Sequence, residues 1–241
     1  MSLEAAPIAP PVGPWQDARI TAIRDETSRV KTFSMRLAQP VPYLPGQHFV
    51  VRLTAPDGYS AQRSYSVASP EADDPTIELT VERLDGGEVS TFLHDEVVVG
   101  DALEVRGPIG AWFVWDATTP ALLIGGGSGV VPLMAMLRLA RRQPAQSLAR
   151  LVISTRGPDE LIYAGDMHGH DVVVLYTRTA APDSVRPPGR LTIDDLRPHV
   201  RPDATVFICG SAGFAASASQ LAMDAGCDAA AIRIERFGPS G

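Results

Sequence analysis

One short stretch, Ala121-Leu-Leu-Ile-Gly-Gly-Gly-Ser-Gly-Val-Val-Pro-Leu133, limits the fold more than any other part of the chain. An apolar run from Ala121 to Ile124 meets four glycines within five positions, and Pro132 then opens an apolar pattern at Leu133, Met134, Met136, Leu137 and Ala140. The pattern reads as a buried strand, a tight glycine turn and a helix with proline in its first turn. Such a turn brings backbone N–H groups and a positive helix end up to an anion. Glycine suits it because a Cβ would hold a phosphate away. Gly126, Gly127, Ser128, Gly129 and Val130 are therefore candidate nucleotide-binding residues. Val130 stands where the last glycine of Gly-x-Gly-x-x-Gly would be, and a plain strand-to-helix turn reads the same way. The texture on either side has to decide.

After Thr119 that texture is α/β. Strands are predicted at 121–124, 151–154, 172–176, 205–209 and 232–237, alternating with helices at 132–142, about 159–167, 192–196 and 212–225. Asp194-Asp195 begin one of these helices and favour its positive end. Strand–helix alternation implies a doubly wound parallel sheet, with ligands at the carboxyl ends of the strands. Gly125, Arg156, Thr177, Arg178, Cys209 and Gly210 all fall at such ends.

Before that point the signals are short strands, at 18–23, 30–37, 47–53, 64–68, 76–81 and 102–105, separated by turn residues. One helical turn is expected at 90–94. This spacing suggests an antiparallel β-barrel. The organisation is then a Pro- and Ala-rich tail at 1–14, read as disordered, a barrel at 15–117 and an α/β domain at 118–241.

Composition matters mainly for what it excludes. A net charge of −7 without blocks of like charge argues against nucleic acid as a partner. No apolar run approaches the roughly 20 residues of a membrane span, and Glu4 with no basic region before an apolar core argues against a secretory signal. A cytoplasmic location follows. Cys209 and Cys227 are the two cysteines. An iron–sulfur cluster takes about four, so none is expected. His48, His94, His168, His170 and His199 show no metal-ligand spacing, and no metal site is expected.

Arg63-Ser-Tyr-Ser66 places an arginine, an aromatic ring and two hydroxyls within four residues, a set that can clamp a phosphate and stack on a flat ring. A half-exposed strand with alternating polar side chains is the competing reading. Taken in order, Arg-x-Tyr-Ser in a barrel, Gly107-Pro-Ile-Gly110, Gly-Gly-Gly-Ser-Gly opening an α/β domain, and Cys209-Gly210 resemble the ferredoxin–NADP reductase family. The resemblance covers about 15–237.

It implies FAD held mainly by the barrel and a nicotinamide nucleotide held mainly by the second domain. By position, Arg63 and Ser64 join the FAD site, Arg63 pairing with the pyrophosphate, Tyr65 lying on one face of the isoalloxazine and Ser66 bonding near flavin N5. Val81 and Arg83 flank that site. Gly87, Val89, Ser90 and Thr91 resemble the segment whose backbone and hydroxyls take the pyrophosphate at a short helix N-terminus. An ordinary turn capped by Ser90 is the alternative. Gly107–Gly110 resembles the turn leaving the barrel. Cys209 would position the nicotinamide. Glu235 would join Ser66 and Cys209 near N5, and Phe237 would cover the second flavin face, although Gly238-Pro-Ser-Gly241 extends beyond it. Ser66, Cys209, Glu235 and Phe237 are thus the candidate catalytic group.

Residues Ser154-Thr-Arg156 carry no carboxylate at the end of the second strand, where an NAD-specific fold holds the ribose. Thr177-Arg178 resemble the family's hydroxyl–arginine pair for a 2′-phosphate. NADPH is the expected nucleotide and NADH the alternative. The expected activity is transfer of a hydride from NADPH to FAD and of electrons onward to a ferredoxin or another one-electron acceptor protein, such as an oxygenase component. A free-flavin or small-molecule reductase and a non-catalytic nucleotide-binding relay subunit are the competing functions.

Overall fold

A computed structural model describes residues 12–71, 74–143, 148–182, 184 and 186–237. Most of the expected N-terminal tail, and the Gly238–Gly241 extension, lie outside these residues.

Six strands form the first sheet: β1 (Gln16–Thr27), β2 (Val30–Leu37), β3 (His48–Thr54), β4 (Ser60–Ser66), β5 (Thr76–Glu82) and β6 (Ala102–Ile109), in the order β4-β3-β6-β1-β2-β5. Every neighbouring pair is antiparallel. A further bridge, Val67 to Leu79, joins the end of β4 to β5 and closes the sheet into a barrel. Alternation decides the interior: Phe33, Met35 and Leu37, Phe49 and Val51, and Ile77, Leu79 and Val81 all face one buried cluster. Helix α1 (Glu88–Asp95) adds Val89 and Leu93, four apart and so on one face, to that cluster. The His94 ring Nε2 donates to the Val81 carbonyl at 2.9 Å and ties the helix to β5.

The second sheet holds β7 (Ala121–Gly126), β8 (Ala149–Thr155), β9 (Val172–Tyr176), β10 (Thr205–Ser211) and β11 (Ile232–Phe237), all parallel, in the order β11-β10-β7-β8-β9. Helices α2 (Val130–Arg142), α3 (Ile193–Leu196) and α4 (Ala212–Asp224) cover it. Side-chain alternation splits the sheet cleanly between its two faces. Ala121, Leu123, Leu151, Ile153, Phe207 and Cys209 pack with α2, whereas Leu122, Ile124, Val152, Val206 and Ile208 pack with α3 and α4. Asp195 completes a capping box with Thr192 at the start of α3.

Two elements differ from their sequence expectations. No helix forms at 159–167. Two single 3-10 turns, Pro158–Glu160 and Ala164–Asp166, stand there. Between them Tyr163 adopts a left-handed backbone (φ 59°) that no helix accommodates. Its hydroxyl donates to Thr80 Oγ1 of the barrel at 2.5 Å, so a tertiary contact overrides local preference. Gly107-Pro108-Ile109 is not a turn either. It is the end of β6, with Ile109 paired to His48; Gly110 follows with φ 110° and the chain bends over 111–113.

The stretch from Trp112 to Trp115 links the halves. Phe113 and Trp115 are buried in the cluster under α2, and Trp115 N–H donates to the Pro45 carbonyl at 3.2 Å.

Candidate functional site

Strands β7 and β10 are neighbours whose following helices leave to opposite faces. The crevice between two such strands is where open α/β sheets bind ligands. At its floor Gly125 is in register with Cys209, and Cys209 with Glu235, across three adjacent strands. The glycine turn, Gly127–Gly129, lies above. A Cβ on Gly129 would stand 2.2 Å from the Cys209 carbonyl oxygen, so the turn is pressed onto β10. Gly127 has φ 56°, and nothing lies within 4 Å of where its Cβ would be. Neither the turn nor α2 has a side-chain cap at its start. The opening N–H groups of such an uncapped end need an outside acceptor. Ser128 is half-buried and Val130 buried beside them.

Alternation along β11 sorts its residues by chemistry. Ile232 and Ile234 pack toward α4, while Phe237 packs on the α2 face. Arg233 is on that face too, its guanidinium 5.4 Å from the Phe207 ring centroid. Glu235 lies between them on the same side. One of its oxygens, Oε2, is buried without a hydrogen-bond partner. Burial raises the Glu235 carboxyl from 4.5 to about 7. Cys209 is fully buried. Burial first, and then the neighbouring Glu235, push its thiol well above its ordinary value. The sulfur thus stays protonated and serves as packing, while the carboxyl changes charge near neutrality.

At the outer strand ends, Arg156 Nη1 is 3.1 Å from Glu160 Oε2 in an exposed pair. Thr177 and Arg178 follow β9, held by backbone bonds to the Thr155 and Arg156 carbonyls. Arg178 is exposed.

On the barrel, β4 runs antiparallel to β3, with Ser66 opposite His48 and Arg63 opposite Val51. Arg63 and Ser64 are exposed, Tyr65 is half-buried and Ser66 is buried. Burial pushes the Tyr65 phenol up to about 12, so it stays neutral. Arg63 donates to the Gln62 carbonyl at 2.7 Å. The start of α1 is capped by the backbone of Gly87, not by Ser90. Ser90 Oγ donates to the Gly87 carbonyl at 3.1 Å and accepts from Leu84 N–H at 3.2 Å. Its hydroxyl proton is spent on shaping the turn. What the segment offers an anion is the opening N–H groups of α1, around Val89 and Ser90, with Thr91 half-buried beyond them. Val81 is wholly inside the barrel. Arg83 is committed to Asp95, at 2.8 Å. Val81 can reach a ligand only through its backbone. The structure brings Cys209 and Glu235 together, and no hydrogen bond among the described residues joins Ser66 to either.

Residues 17–114 match the oxidoreductase FAD-binding domain family. The glycine betaine monooxygenase reductase subunit of Chromohalobacter salexigens is 35% identical over 150 residues, 61% of this chain and 40% of that protein. The subunit of the same name from Pseudomonas aeruginosa is 28% identical over 236 residues, 92% of this chain and 64% of that protein. The likeness to FAD-binding reductases thus rests on the family model over the barrel and on relatives named as reductase subunits. The fold agrees: the flavohaem-like FAD/NAD-binding domain of nitric oxide dioxygenase from Vibrio cholerae superposes with a TM-score of 0.81 at 24% identity, covering 93% of this chain and 99% of that one. The chain spans about half the length of the curated relatives it matches, 40% and 64% in the two cases. Among the described residues no helix is long and apolar enough to cross a membrane.

Three features of the site escape sequence reasoning. Phe214, in the first turn of α4, lies with its ring 2.6 Å from where a Cβ on Gly126 would stand and 2.7 Å from one on Gly210. The paired glycines signal that something bulky approaches, but not what. Arg233 Nη1 donates to the carbonyls of Val114 (2.9 Å) and Trp112 (3.2 Å) and so clamps the linker to β11. Arg138, the first charge along the apolar helix α2, meets the barrel at the Ala68 carbonyl and Glu78. A charge breaking an apolar helical run was the available signal.

Proposed function

We propose that the chain is a cytoplasmic FAD-dependent NAD(P)H oxidoreductase that takes a hydride from NADPH onto flavin N5 and passes electrons to a separate partner, a ferredoxin or an oxygenase component. In this reading 15–117 hold FAD and 118–241 hold the nicotinamide nucleotide. The two monooxygenase reductase subunits support the activity by name. The observation that carries the reading is the orphaned, buried Glu235 Oε2 beside Cys209 at the switch point. A buried polar atom without a partner calls for a group to complete it, and the open glycine turn next to it suits a phosphate.

When bound, flavin accepts a hydride and releases electrons singly, which neither half of the polypeptide can do alone. The residues align and insulate. Arg63 and the first N–H groups of α1 hold the pyrophosphate of FAD, Tyr65 lies on the ring, and Ser66 donates toward N5. Gly126–Val130 receive the nicotinamide nucleotide. Cys209 and Gly210 set its depth against the flavin, since the transfer needs reacting atoms about 3–3.5 Å apart. Glu235 holds or releases a proton near neutrality at its Oε2. Phe237 excludes water from the second face. Thr177 and Arg178 receive the 2′-phosphate, with Arg156 alongside.

The test is anaerobic reduction of the purified yellow protein by NADPH and by NADH, followed by turnover with ferredoxins, free FMN and ferricyanide. Arg178→Ala should raise the apparent KM for NADPH about tenfold, one or two lost charge-assisted bonds, and leave NADH nearly unchanged. A colourless protein that turns over only added flavin replaces this reading with a free-flavin reductase. Equal losses with both nucleotides remove the NADPH preference.

A further inference from the structure

The seam between barrel and sheet holds a closed ring of buried hydrogen bonds. Thr32 Oγ1 donates to Glu26 Oε1 at 2.7 Å. That uses its one proton, so at the 2.8 Å contact between Thr32 and Thr80 the donor is Thr80. Thr80's own proton is then committed, and Thr80 accepts from the Tyr163 hydroxyl. Tyr163 returns to the start, its backbone N–H donating to Glu26 Oε2 at 3.2 Å. The hydroxyl protons run from Tyr163 through Thr80 and Thr32 to Glu26, and the Tyr163 N–H reaches the same carboxylate from the other side. Glu26, Thr32 and Thr80 belong to the barrel, and Tyr163 belongs to the β8–β9 crossover. Thr32, Thr80 and Tyr163 are all nearly inaccessible.

Arg138 doubles this contact. Its Nη1 reaches Ala68 O at 3.0 Å and Glu78 Oε2 at 2.9 Å, its Nη2 reaches Asp166 Oδ2 at 2.6 Å, and its guanidinium lies 4.9 Å from the Tyr163 ring centroid. Ala68 is two residues beyond Ser66 on the barrel, and Arg138 is in the helix whose first residue, Val130, follows the glycine turn. Helix α2 is therefore a short rigid rod between the two nucleotide sites, pinned at one end to the strand that carries Ser66. Arg142 Nη1 adds one polar contact, to the Glu71 carbonyl at 2.9 Å, beside apolar packing of Val30 and Ala68 under α2. Apolar contacts lack direction and tolerate small slips, whereas hydrogen bonds weaken steeply with angle.

We propose that the Glu26–Thr32–Thr80–Tyr163 ring, with Arg138, is a positioning latch that fixes the angle between barrel and sheet and so the distance over which hydride passes. Tyr163 is a positioning residue in this scheme, not a catalytic one. The inference rests on the oxidoreductase reading above for its consequence, but not for the latch itself.

The test uses the flavin-loaded protein. Tyr163→Phe keeps the ring and removes one proton donor, and Thr80→Val breaks the same bond from the other side. Each should slow flavin reduction at saturating nicotinamide nucleotide about tenfold, a fraction of an ångström of misplacement. FAD content and the nucleotide dissociation constant should hold within about twofold, since neither site loses a contact. The double variant should be no slower than either single one, and Thr80→Ser should restore the rate. Amide hydrogen exchange supplies a readout independent of activity: protection should drop in 158–167 and not in β3 or β7. Unchanged rate and exchange in Tyr163→Phe overturn the latch. So does a loss of rate matched by loss of FAD and melting temperature, with Thr80→Ser no better than Thr80→Val, because that marks a merely structural contact. A wild-type protein that accepts hydride from neither NADPH nor NADH removes the oxidoreductase reading, and the exchange comparison then decides the latch by itself.

Discussion

The two candidate nucleotide sites are built in opposite ways. The barrel site is an exposed strand margin: Arg63 and Ser64 face outward, and the first turn of α1 is shaped by its own backbone and Ser90. Its ligand-facing groups support little of the fold. The sheet site is carved out of close packing. Gly129 touches β10, Phe214 fills the space over Gly126 and Gly210, and Cys209 and Glu235 are held by registered strands. There the binding groups and the core are the same atoms. Substitution should separate affinity from stability at the first site and confound them at the second.

The hardest test of that contrast is Gly129→Val. With the Cys209 carbonyl oxygen 2.2 Å from the new Cβ, the turn has to leave β10. We expect a loss of about 3 kcal/mol or more, seen as a clear fall in denaturation midpoint together with loss of nucleotide binding. A normal midpoint would show that the turn moves freely, and the contrast would break.

Next comes Arg63→Ala. Charge-assisted hydrogen bonds contribute about 1.5–3 kcal/mol, so FAD affinity should fall roughly tenfold to a hundredfold. Stability of the flavin-free protein should change by less than about 0.5 kcal/mol, as for other surface positions. Equilibrium dialysis and denaturant melts measure the two quantities separately.

The sequence made the scaffold legible wherever period and burial agreed. Strands at 30–37, 172–176 and 232–237 stand where the alternation put them. It failed where a contact between distant residues fixed the backbone. The acidic, helix-like stretch at 159–167 is broken because Tyr163 turns toward Thr80, 83 positions earlier. The Gly107-Pro-Ile signal reads as a turn, but β3 recruits it into β6. For the site, Gly125 and Cys209 could be placed at strand ends from pattern alone and Glu235 only through the family resemblance; the register shows the three adjoining. Ile232 and Ile234 of the last strand face α4 and Phe237 packs on the opposite face. Ser90 was legible as a polar turn residue, but its spent proton was not, since that depends on where Leu84 N–H points.

A pH dependence sharpens the comparison further. A carboxyl raised from 4.5 to about 7 keeps its proton in the folded state after the unfolded chain has lost it. Stability contributed relative to an ordinary glutamate is therefore full below pH about 4.5, falls as pH rises between about 4.5 and 7, and is level above that. The span corresponds to about 3 kcal/mol. Glu235→Gln should flatten this slope in denaturant melts of the ligand-free protein, while the same substitution at exposed Glu88 should not. An unchanged slope would mean that water reaches Oε2 and that the sheet site is as open as the barrel margin.

The closure of the first sheet sets an order of events. All six barrel strands lie between Gln16 and Ile109, so a ribosome has delivered every one of them before β7 begins. The crevice has to wait for β11, because Glu235 sits on the last strand of a sheet whose first strand starts at Ala121. At 5–20 residues per second, about ten seconds of synthesis separate the two. During that interval the chain already carries every strand of the barrel with Arg63, Tyr65 and α1, while the Cys209–Glu235 pair does not yet exist.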